Sequence, residues 1–297
     1  MIDWVAAVEG TEAGHRLAMT LALSAALLHA VFGALQKGRY DPWTSRTVID
    51  SGIFVLSTPI ALFAVPWPPL ELWWVMAGMV VIHFVYKVLM AMTYVRGAYT
   101  VVYPVVRGTG PLFTVLGAGA IFGEHFTRFQ WLGVGLLVAG LFGLSIYNMA
   151  KVTVARETLV PALGLAVLTG LSVAVYTTWD AYGIRAVENP FTFLAWFFFL
   201  TSIDFPVIAW ARGRWRRPDR GMVRLGLLGA LIAFGSFGCV MMATRLDDVG
   251  EAAVLRETST VFAALIGWLW LKESVGPRRI LLMSLIALGA VVVEMGG

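Results

Sequence analysis

The chain alternates long apolar runs with short polar connections along its whole length. Each run has about the 20 residues that a helix needs to cross the apolar core of a bilayer. None shows the period-two alternation of a membrane β-strand. The pattern therefore predicts an all-α integral membrane protein with ten transmembrane helices. The predicted spans are residues 17–36, 47–65, 72–94, 98–122, 129–147, 159–182, 191–211, 223–243, 249–271 and 278–295.

Composition supports the same class of protein. Only 13% of the 297 residues are charged and 59% are hydrophobic, whereas a soluble domain has roughly 25% charged residues. The net charge of +4 comes from basic residues in the short connections. We therefore expect the lipid bilayer as a partner and no nucleic acid.

The second half of the chain repeats the first half in register. The stretch VVYPVVRGTGPLFTVLGAGAIFGEHF (101–126) aligns without a gap with GEAAVLRETSTVFAALIGWLWLKESV (250–275). The offset is constant, so that Arg107 coincides with Arg256. Matches between apolar residues arise easily by chance, but a matched arginine in a membrane span does not.

The repeat predicts an inverted architecture. Its period covers five helices, an odd number, so the two copies cross the membrane in opposite senses. Inverted repeats of this kind build secondary transporters, whose substrate site lies between the repeats near the middle of the membrane. We predict two five-helix repeats, residues 17–149 and 159–297, around a central cavity.

Several motifs resemble the paired EamA domains of the drug/metabolite transporter superfamily. They are the apolar run that ends in Gly-Glu at Glu124, its second copy that ends in LKES, and the glycine-rich helix after each. The stretches ALLHAVFGALQKG and SVAVYTTWDAYG are similar to the first helix of that domain and its copy. The resemblance spans residues 17–295 and implies ten helices, alternating access and a cavity lined mainly by helices 1, 3, 4, 6, 8 and 9.

The resemblance leaves the substrate open, because members of the superfamily move amino acids, sugars, nucleotide sugars, phosphorylated trioses and drugs. Many members have an uncharged residue where this chain has Arg107 and Arg256. The arginine pair is therefore a feature of this chain rather than a signature of the family.

The fourth span holds Arg107 close to Pro104, Gly108 and Gly110. Proline disrupts a helix, and an irregular backbone survives at membrane depth only where protein or cavity water satisfies it. We therefore expect a helix break at Pro104 that opens on the cavity.

Arg107 is the first candidate for substrate binding. It has no acidic neighbour in the sequence, and Tyr99 and Tyr103 precede it by eight and four residues on the same helix face. A guanidinium between phenol rings suits a carboxylate or phosphate that is bound through two hydrogen bonds.

Arg256 is the second candidate, but an alternative stays open for it. Glu257 lies beside it in the sequence, and a buried salt bridge that holds the two repeats together would give the same pattern. The intramembrane charges balance in number, with Lys87, Arg107 and Arg256 against Asp180, Asp204 and Glu257.

Helices 1, 3 and 6 offer further polar or aromatic side chains for the cavity. His83 and Lys87 are four residues apart and therefore share one helix face. Asp180 lies near a predicted helix end and is expected at the membrane interface. The other candidates are His29 and Gln36 on helix 1 and Tyr176 and Trp179 on helix 6.

Glu257 and Asp204 are the candidates for a coupling proton. Lys87, on the same face as His83, is expected to disfavour the imidazolium, which leaves a buried carboxylate as the better proton carrier. Glu124 and Glu273 lie at loop edges, where each is expected to cap the helix that follows it.

No enzyme motif is present in the sequence, neither a metal-spaced His/Cys set nor a nucleophile elbow or phosphate-binding loop. We therefore expect no catalytic residues, no metal and no cofactor. The leading hypothesis is a secondary transporter, an exporter or exchanger, of small anionic or zwitterionic metabolites such as amino acids, carboxylates or phosphorylated compounds. Two alternatives stay open: an exporter of cationic drugs, and a non-transporting flippase subunit or sensor.

Loop charges predict the orientation of the helices in the membrane. Basic residues concentrate in the odd-numbered connections, and the positive-inside rule places those connections in the cytoplasm. Both termini are then extracytoplasmic, opposite to the arrangement familiar for the superfamily. We expect a bacterial cytoplasmic membrane protein that acts as a monomer or homodimer.

Overall fold

The computed structural model describes residues 3–36, 40–150, 156–215, 217–269 and 276–297. Long helices account for nearly all of these ranges. The helices are α1 (Asp3–Val8), α2 (Glu12–Gln36), α3 (Pro42–Pro59), α4 (Trp73–Arg96), α5 (Tyr99–Phe122), α6 (Arg128–Met149), α7 (Arg156–Ala186), α8 (Pro190–Thr201), α9 (Asp204–Ala211), α10 (Arg220–Leu246), α11 (Val249–Arg256), α12 (Ser259–Leu269) and α13 (Pro277–Met295).

Nine segments of the described chain are long and apolar enough to cross a membrane. The tenth predicted span corresponds to α13, which has 19 residues and carries Arg278, Arg279 and Glu294 near its ends. The prediction of an all-α integral membrane protein is confirmed. Two predicted spans are each divided into two helices, one into α8 and α9 and the other into α11 and α12.

Helix packing follows the predicted repeat. Helix α2 packs against α10 and α12, while its counterpart α7 packs against α4 and α5, the counterparts of those helices. Helix α6 lies along its own counterpart α13, and α5 contacts α11. Each contact of a helix in one half is therefore matched by a contact of its counterpart in the other half. The boundaries 17–149 and 159–297 of the two repeats stay a prediction.

The two ends of the bundle differ in charge. The start of α2 and the ends of α5, α7, α10 and α13 meet at one end, which we call the termini end. At this end Thr127 donates to the carbonyl of Gly296 at 2.7 Å. The opposite end, which we call the basic end, carries the arginine-rich connection between α9 and α10.

Small residues let α6 and α13 approach closely. A Cβ atom on Gly133 would lie 2.6 Å from the carbonyl oxygen of Gly289, and a Cβ atom on Gly289 would lie 2.6 Å from that of Gly133. Gly140 is similarly close to the carbonyl of Leu282. Backbone contact of this kind drives helix association in lipid, where no hydrophobic effect acts between apolar helices.

The predicted helix break at Pro104 is wrong, because α5 runs without interruption through Pro104 and Pro111. A proline in this position leaves the carbonyl four residues earlier without its helical donor. Helix α6 supplies the replacement donor, because Asn148 donates to the carbonyl of Thr100 at 2.8 Å. Ser145 donates to the adjacent carbonyl of Val101 at 2.7 Å. The helix therefore survives because its neighbour satisfies the freed backbone.

The break lies instead in the second copy, which has no proline at this place. Helix α11 ends at Arg256, and α12 begins at Ser259 after a turn at Glu257 and Thr258. The turn replaces helical hydrogen bonds with shorter-range ones, such as that from Glu257 N to the carbonyl of Val254 at 3.0 Å. A discontinuous helix at the repeat interface is typical of transporter binding sites.

The role of α6 can be tested by a double-mutant cycle. Asn148→Ala is expected to lower the melting temperature in detergent by about 1–4 °C, because a hydrogen bond between membrane helices contributes about 0.6–1.7 kcal/mol. In a Pro104→Ala background the loss should be smaller, since the N–H of the new alanine can donate to Thr100. Equal losses in the two backgrounds would contradict this account of the continuous helix.

Candidate functional site

Arg107 lies at the centre of the contact between the two repeats. Its Nε is 2.7 Å from Oε2 of Glu257. Its Nη2 donates to Ser259 Oγ at 2.6 Å and to the carbonyl of Arg256 at 3.3 Å. Arg107 is 5% exposed and Glu257 is 1% exposed. The Arg107 guanidinium of the first repeat therefore binds the polar groups at the helix break of the second repeat.

Arg107 has no acidic neighbour in the sequence, but the fold brings Glu257 of the other repeat to it. The sequence pairs Glu257 with its neighbour Arg256, but the distance from Arg256 Nε to Glu257 Oε1 is 3.8 Å, longer than the contact from Arg107. The break turns the Glu257 side chain toward the other repeat. The salt bridge between the repeats that was considered for Arg256 is thus formed by Arg107.

Arg256 borders a narrow cavity beside the break. The cavity has about 10 Å³ of space for water-sized molecules, roughly what one water needs. Polar and apolar residues both line it. The lining consists of Tyr176, Thr177 and Asp180 from α7, Phe237, Val240, Met241 and Thr244 from α10, and Arg256 from α11.

Among the residues that the structure describes, three side chains of this cavity have buried polar atoms without a hydrogen-bond partner. The atoms are Nε and Nη2 of Arg256, Oγ1 of Thr177 and Oδ1 of Asp180. All three residues are at most 6% exposed. Buried polar atoms are nearly always paired in native proteins. A donor, a hydroxyl and an acceptor therefore face a small space in which a ligand would satisfy them.

His83 and Asp180 form a buried pair in the wall of this cavity. His83 Nε2 lies 2.8 Å from Asp180 Oδ2, and the imidazole contacts the Tyr176 ring with 4.7 Å between centroids. Asp180, expected at the membrane interface from its place near a predicted helix end, is buried within the bundle with 3% exposure. The sequence linked His83 with Lys87, but its charged neighbour is Asp180.

Lys87 lies in a separate buried network, away from the cavity. Its Nζ contacts the carboxylate of Asp204, lies 3.1 Å from Asp50 Oδ2 and donates to the carbonyl of Thr201 at 2.5 Å. Arg46 completes the network through Asp50 at 2.8 Å. Lys87 and Asp204, predicted for substrate and proton binding, therefore join α3, α4 and the junction of α8 with α9.

The two tyrosines predicted beside Arg107 form a column that leads to it. The rings of Tyr99 and Tyr103 are stacked with 4.9 Å between centroids, and the guanidinium of Arg107 lies 5.8 Å from the Tyr103 ring. Tyr99 is 49% exposed, so the column runs from the basic end into the bundle. A guanidinium over an aromatic ring gains cation–π stabilisation.

The other candidates differ in their surroundings. His29 on α2 is half-buried and within range of the charges of Arg107 and Arg256. Trp179 instead packs between α7 and α4: its indole donates to the carbonyl of Val75 at 2.9 Å, and its ring covers Gly78. The side chain of Gln36 lies outside the described part of the chain.

The prediction that Glu124 caps the helix that follows it is wrong. Its carboxylate accepts from the backbone N–H groups of Val249 at 2.8 Å and Gly250 at 3.0 Å, at the start of α11. Burial raises the pKa of this carboxyl, although these two N–H groups act in the opposite direction. The following helix is capped by Thr127. Glu273, the counterpart of Glu124, lies outside the described residues.

Sequence reasoning missed Thr177 in the cavity and Asp50 in the lysine network. Thr177 precedes Asp180 by three residues on α7, so the two share a helix face and the sequence did carry a signal for it. Asp50 also carried a signal, because it follows Arg46 by four residues inside an apolar run. Such i, i+4 pairs face each other on a helix.

Comparisons with known proteins agree with this architecture. Residues 160–295, in the second half of the chain, match the EamA-like transporter family. The crystal structure of another protein is similar, with a TM-score of 0.73 and 20% sequence identity. The likeness covers 94% of this chain and 96% of the other chain. This likeness concerns the fold alone. No curated protein matches the chain.

The ion pair between the repeats gives a stability prediction. Arg107→Leu is expected to lower folded yield and melting temperature, because breaking a buried pair costs about 3–5 kcal/mol. In a double-mutant cycle with Glu257→Leu, the double variant should lose less stability than the two single variants added together, because the contact between Arg107 and Glu257 is lost only once. The control is Arg212→Leu at an exposed position. Losses that add in full would contradict the pairing.

Proposed function

From the match of residues 160–295 to the EamA-like transporter family, we propose that the chain belongs to the drug/metabolite transporter superfamily and is a secondary active transporter of small zwitterionic metabolites. Amino acids with apolar side chains are the substrates that fit best. The observation that carries this proposal is the set of unpartnered groups around one cavity, a guanidinium at Arg256 and a carboxylate oxygen at Asp180.

The charges of the cavity select between the possible substrate classes. Arg256 would bind a carboxylate through charge-assisted hydrogen bonds, and Asp180 would bind an ammonium group. A simple anion would meet the Asp180 carboxylate, and a simple cation would meet the Arg256 guanidinium, so each would face one unfavourable charge. A zwitterion satisfies both, while Thr177 offers one more hydrogen bond.

The apolar wall of the cavity fits an apolar side chain. Phe237, Val240 and Met241 on α10 present only hydrocarbon, aromatic and thioether surface to the cavity. Binding sites for small molecules commonly combine a few convergent polar groups with such a wall. The cavity admits about one water in this conformation, so substrate entry requires α7, α10 and α11 to separate, as alternating access does.

Glu257 is our candidate for coupling transport to a proton gradient. It lies between Arg107 at 2.7 Å and Arg256 at 3.8 Å, at the turn between α11 and α12. Protonation would remove the charge that holds Arg107 and would weaken the contact between the repeats at the break. Asp204, paired with Lys87, is the second candidate.

The orientation that belongs to this proposal has the termini outside a bacterial cytoplasmic membrane. It rests on the charge of the basic end, where Arg212, Arg214 and Arg217 are exposed. Positive charge in short loops marks the cytoplasmic side. Export of an amino acid would then begin at the basic end, where the Tyr99 column starts.

The substrate class can be tested with three molecules of one shape. Leucine, 4-methylpentanoate and 3-methylbutylamine share the apolar part and differ in their charged groups. In proteoliposomes, leucine is expected to show saturable counterflow, and the other two should not. Transport of the amine alone would favour the cationic-drug exporter, and no counterflow of any of the three would favour the non-transporting alternative.

Variants of the cavity test the assigned contacts. Arg256→Gln and Asp180→Asn are each expected to raise the half-saturating leucine concentration by about ten- to hundredfold, the effect of a lost hydrogen bond to a charged group. Thr177→Val should weaken binding less. Its matched control is Thr192→Val, because Thr192 is also buried with an unpartnered hydroxyl but lies on α8, outside the cavity.

Coupling is tested with Glu257→Gln in the same vesicles. This variant should retain leucine counterflow but lose the acceleration that an imposed pH gradient produces, because its amide cannot exchange a proton. Asp204→Asn is the comparison and should keep the acceleration. If Glu257→Gln responds fully to the gradient and His83→Ala does not, the proton site lies at the His83–Asp180 pair instead.

A further inference from the structure

A second cluster of ionisable side chains lies at the termini end. His15 at the start of α2 contacts Asp247, the residue that follows α10, through Nδ1, and its Nε2 lies 3.2 Å from Glu294 Oε1 on α13. Glu251 on α11 joins the cluster from the side and accepts from Gln130 Nε2 at 2.5 Å. One imidazole therefore connects three parts of the bundle that are far apart in the sequence.

The geometry fixes the number of protons that the cluster must hold. A neutral imidazole has one N–H donor and one lone pair. Because both ring nitrogens of His15 face carboxylate oxygens, both contacts are favourable only if one more proton is present. That proton is either on the imidazole, which then donates twice, or on Glu294, which then donates to the free lone pair.

The neighbouring charges increase the need for this proton. Asp248, Glu251 and Glu294 add negative charge around His15, whereas Glu12 and Arg16 on the same helix pair with each other at 2.5 Å. Within the described ranges, no lysine or arginine forms an ion pair with Asp247, Glu251 or Glu294.

The two arginines nearest to the cluster are occupied elsewhere. Arg245 donates to the carbonyls of Ile184, Arg185 and Val187 at the end of α7 and pairs with Glu9 at 3.3 Å. Arg185 donates to the carbonyls of Thr244 and Asp247. Neither arginine forms an ion pair with Asp247, Glu251 or Glu294 in the described part of the chain, so a proton on the cluster supplies the positive charge in direct contact with these carboxylates.

A metal ion is a poorer ligand for this cluster. His15, Glu251 and Glu294 bring possible ligand atoms within 4.8 Å of one another. A metal would need a lone pair of the imidazole, but both ring nitrogens already contact carboxylates, so the ion would have to replace one of these contacts. The arrangement therefore suits a proton better than a metal ion.

We propose that His15, Asp247 and Glu294 form a proton-binding latch that holds α2 against α10 and α13 and keeps the termini end closed. With the proton bound, two charge-assisted hydrogen bonds join the helices. When the proton leaves, one contact is lost and the carboxylates repel one another, so the closed form becomes less populated as the pH rises. The latch adds a second proton-binding site to the proposed function and depends on it only for its role in transport.

The test measures a distance across the latch. With Cys239 replaced by serine, spin labels are attached at Ala13→Cys and Arg128→Cys, two exposed positions at the termini end. Double electron–electron resonance is recorded in nanodiscs at about pH 5 and about pH 8.5, on either side of the usual titration range of histidine. We expect the distribution to shift to longer distances at the higher pH.

Two variants change the response in opposite ways. His15→Ala removes both contacts and should give the long distances at both pH values. Glu294→Gln supplies an amide donor in place of the protonated carboxyl and should keep the short distances at the higher pH. His125→Gln is the control, because this histidine is exposed in the loop between α5 and α6, and it should respond like the parent.

The proposal is overturned if the parent shows no shift, or if His15→Ala keeps the response of the parent. A response that disappears in His125→Gln would also overturn it, because the sensing histidine would then be in the loop. Since no substrate is added, a failure here leaves the zwitterion site untouched, and a failure of leucine counterflow leaves the latch untouched.

Discussion

The two repeats depend on buried cations that the first supplies to the broken helices of the second. Arg107 bonds to Glu257 and to the carbonyl that precedes it, and Lys87 bonds to Asp204 and to the carbonyl of Thr201. In each case one cation satisfies both a free backbone acceptor and a nearby carboxylate. Without water in the membrane core, neither break would be stable unless these groups were paired.

Much of the architecture could be predicted from the sequence, because spans and repeats depend on patterns that are local or periodic. The long-range partners could not. The sequence paired Glu257 with adjacent Arg256, whereas the turn between α11 and α12 directs it to Arg107 in the other repeat. The continuity of α5 likewise depends on Ser145 and Asn148, about 40 residues beyond Pro104.

The central site and the termini end are joined by one short helix. Helix α11 begins at the N–H groups held by Glu124 and ends at Arg256, beside the break and the cavity that Arg256 lines. Glu251, near the latch, lies on the same helix. A movement of α11 that opens the cavity would therefore disturb both contacts at the termini end, so the two sites can respond to each other without a longer pathway.

The close contact between α6 and α13 has a consequence for how such a chain can evolve. Gly133 and Gly289 face each other's backbone, so a side chain on either one would occupy the same space. After a duplication, most positions of two copies can diverge separately. Gly133 and Gly289 cannot, because the volume available to one is set by the other. A change at either position therefore constrains the corresponding position in the other half of the chain.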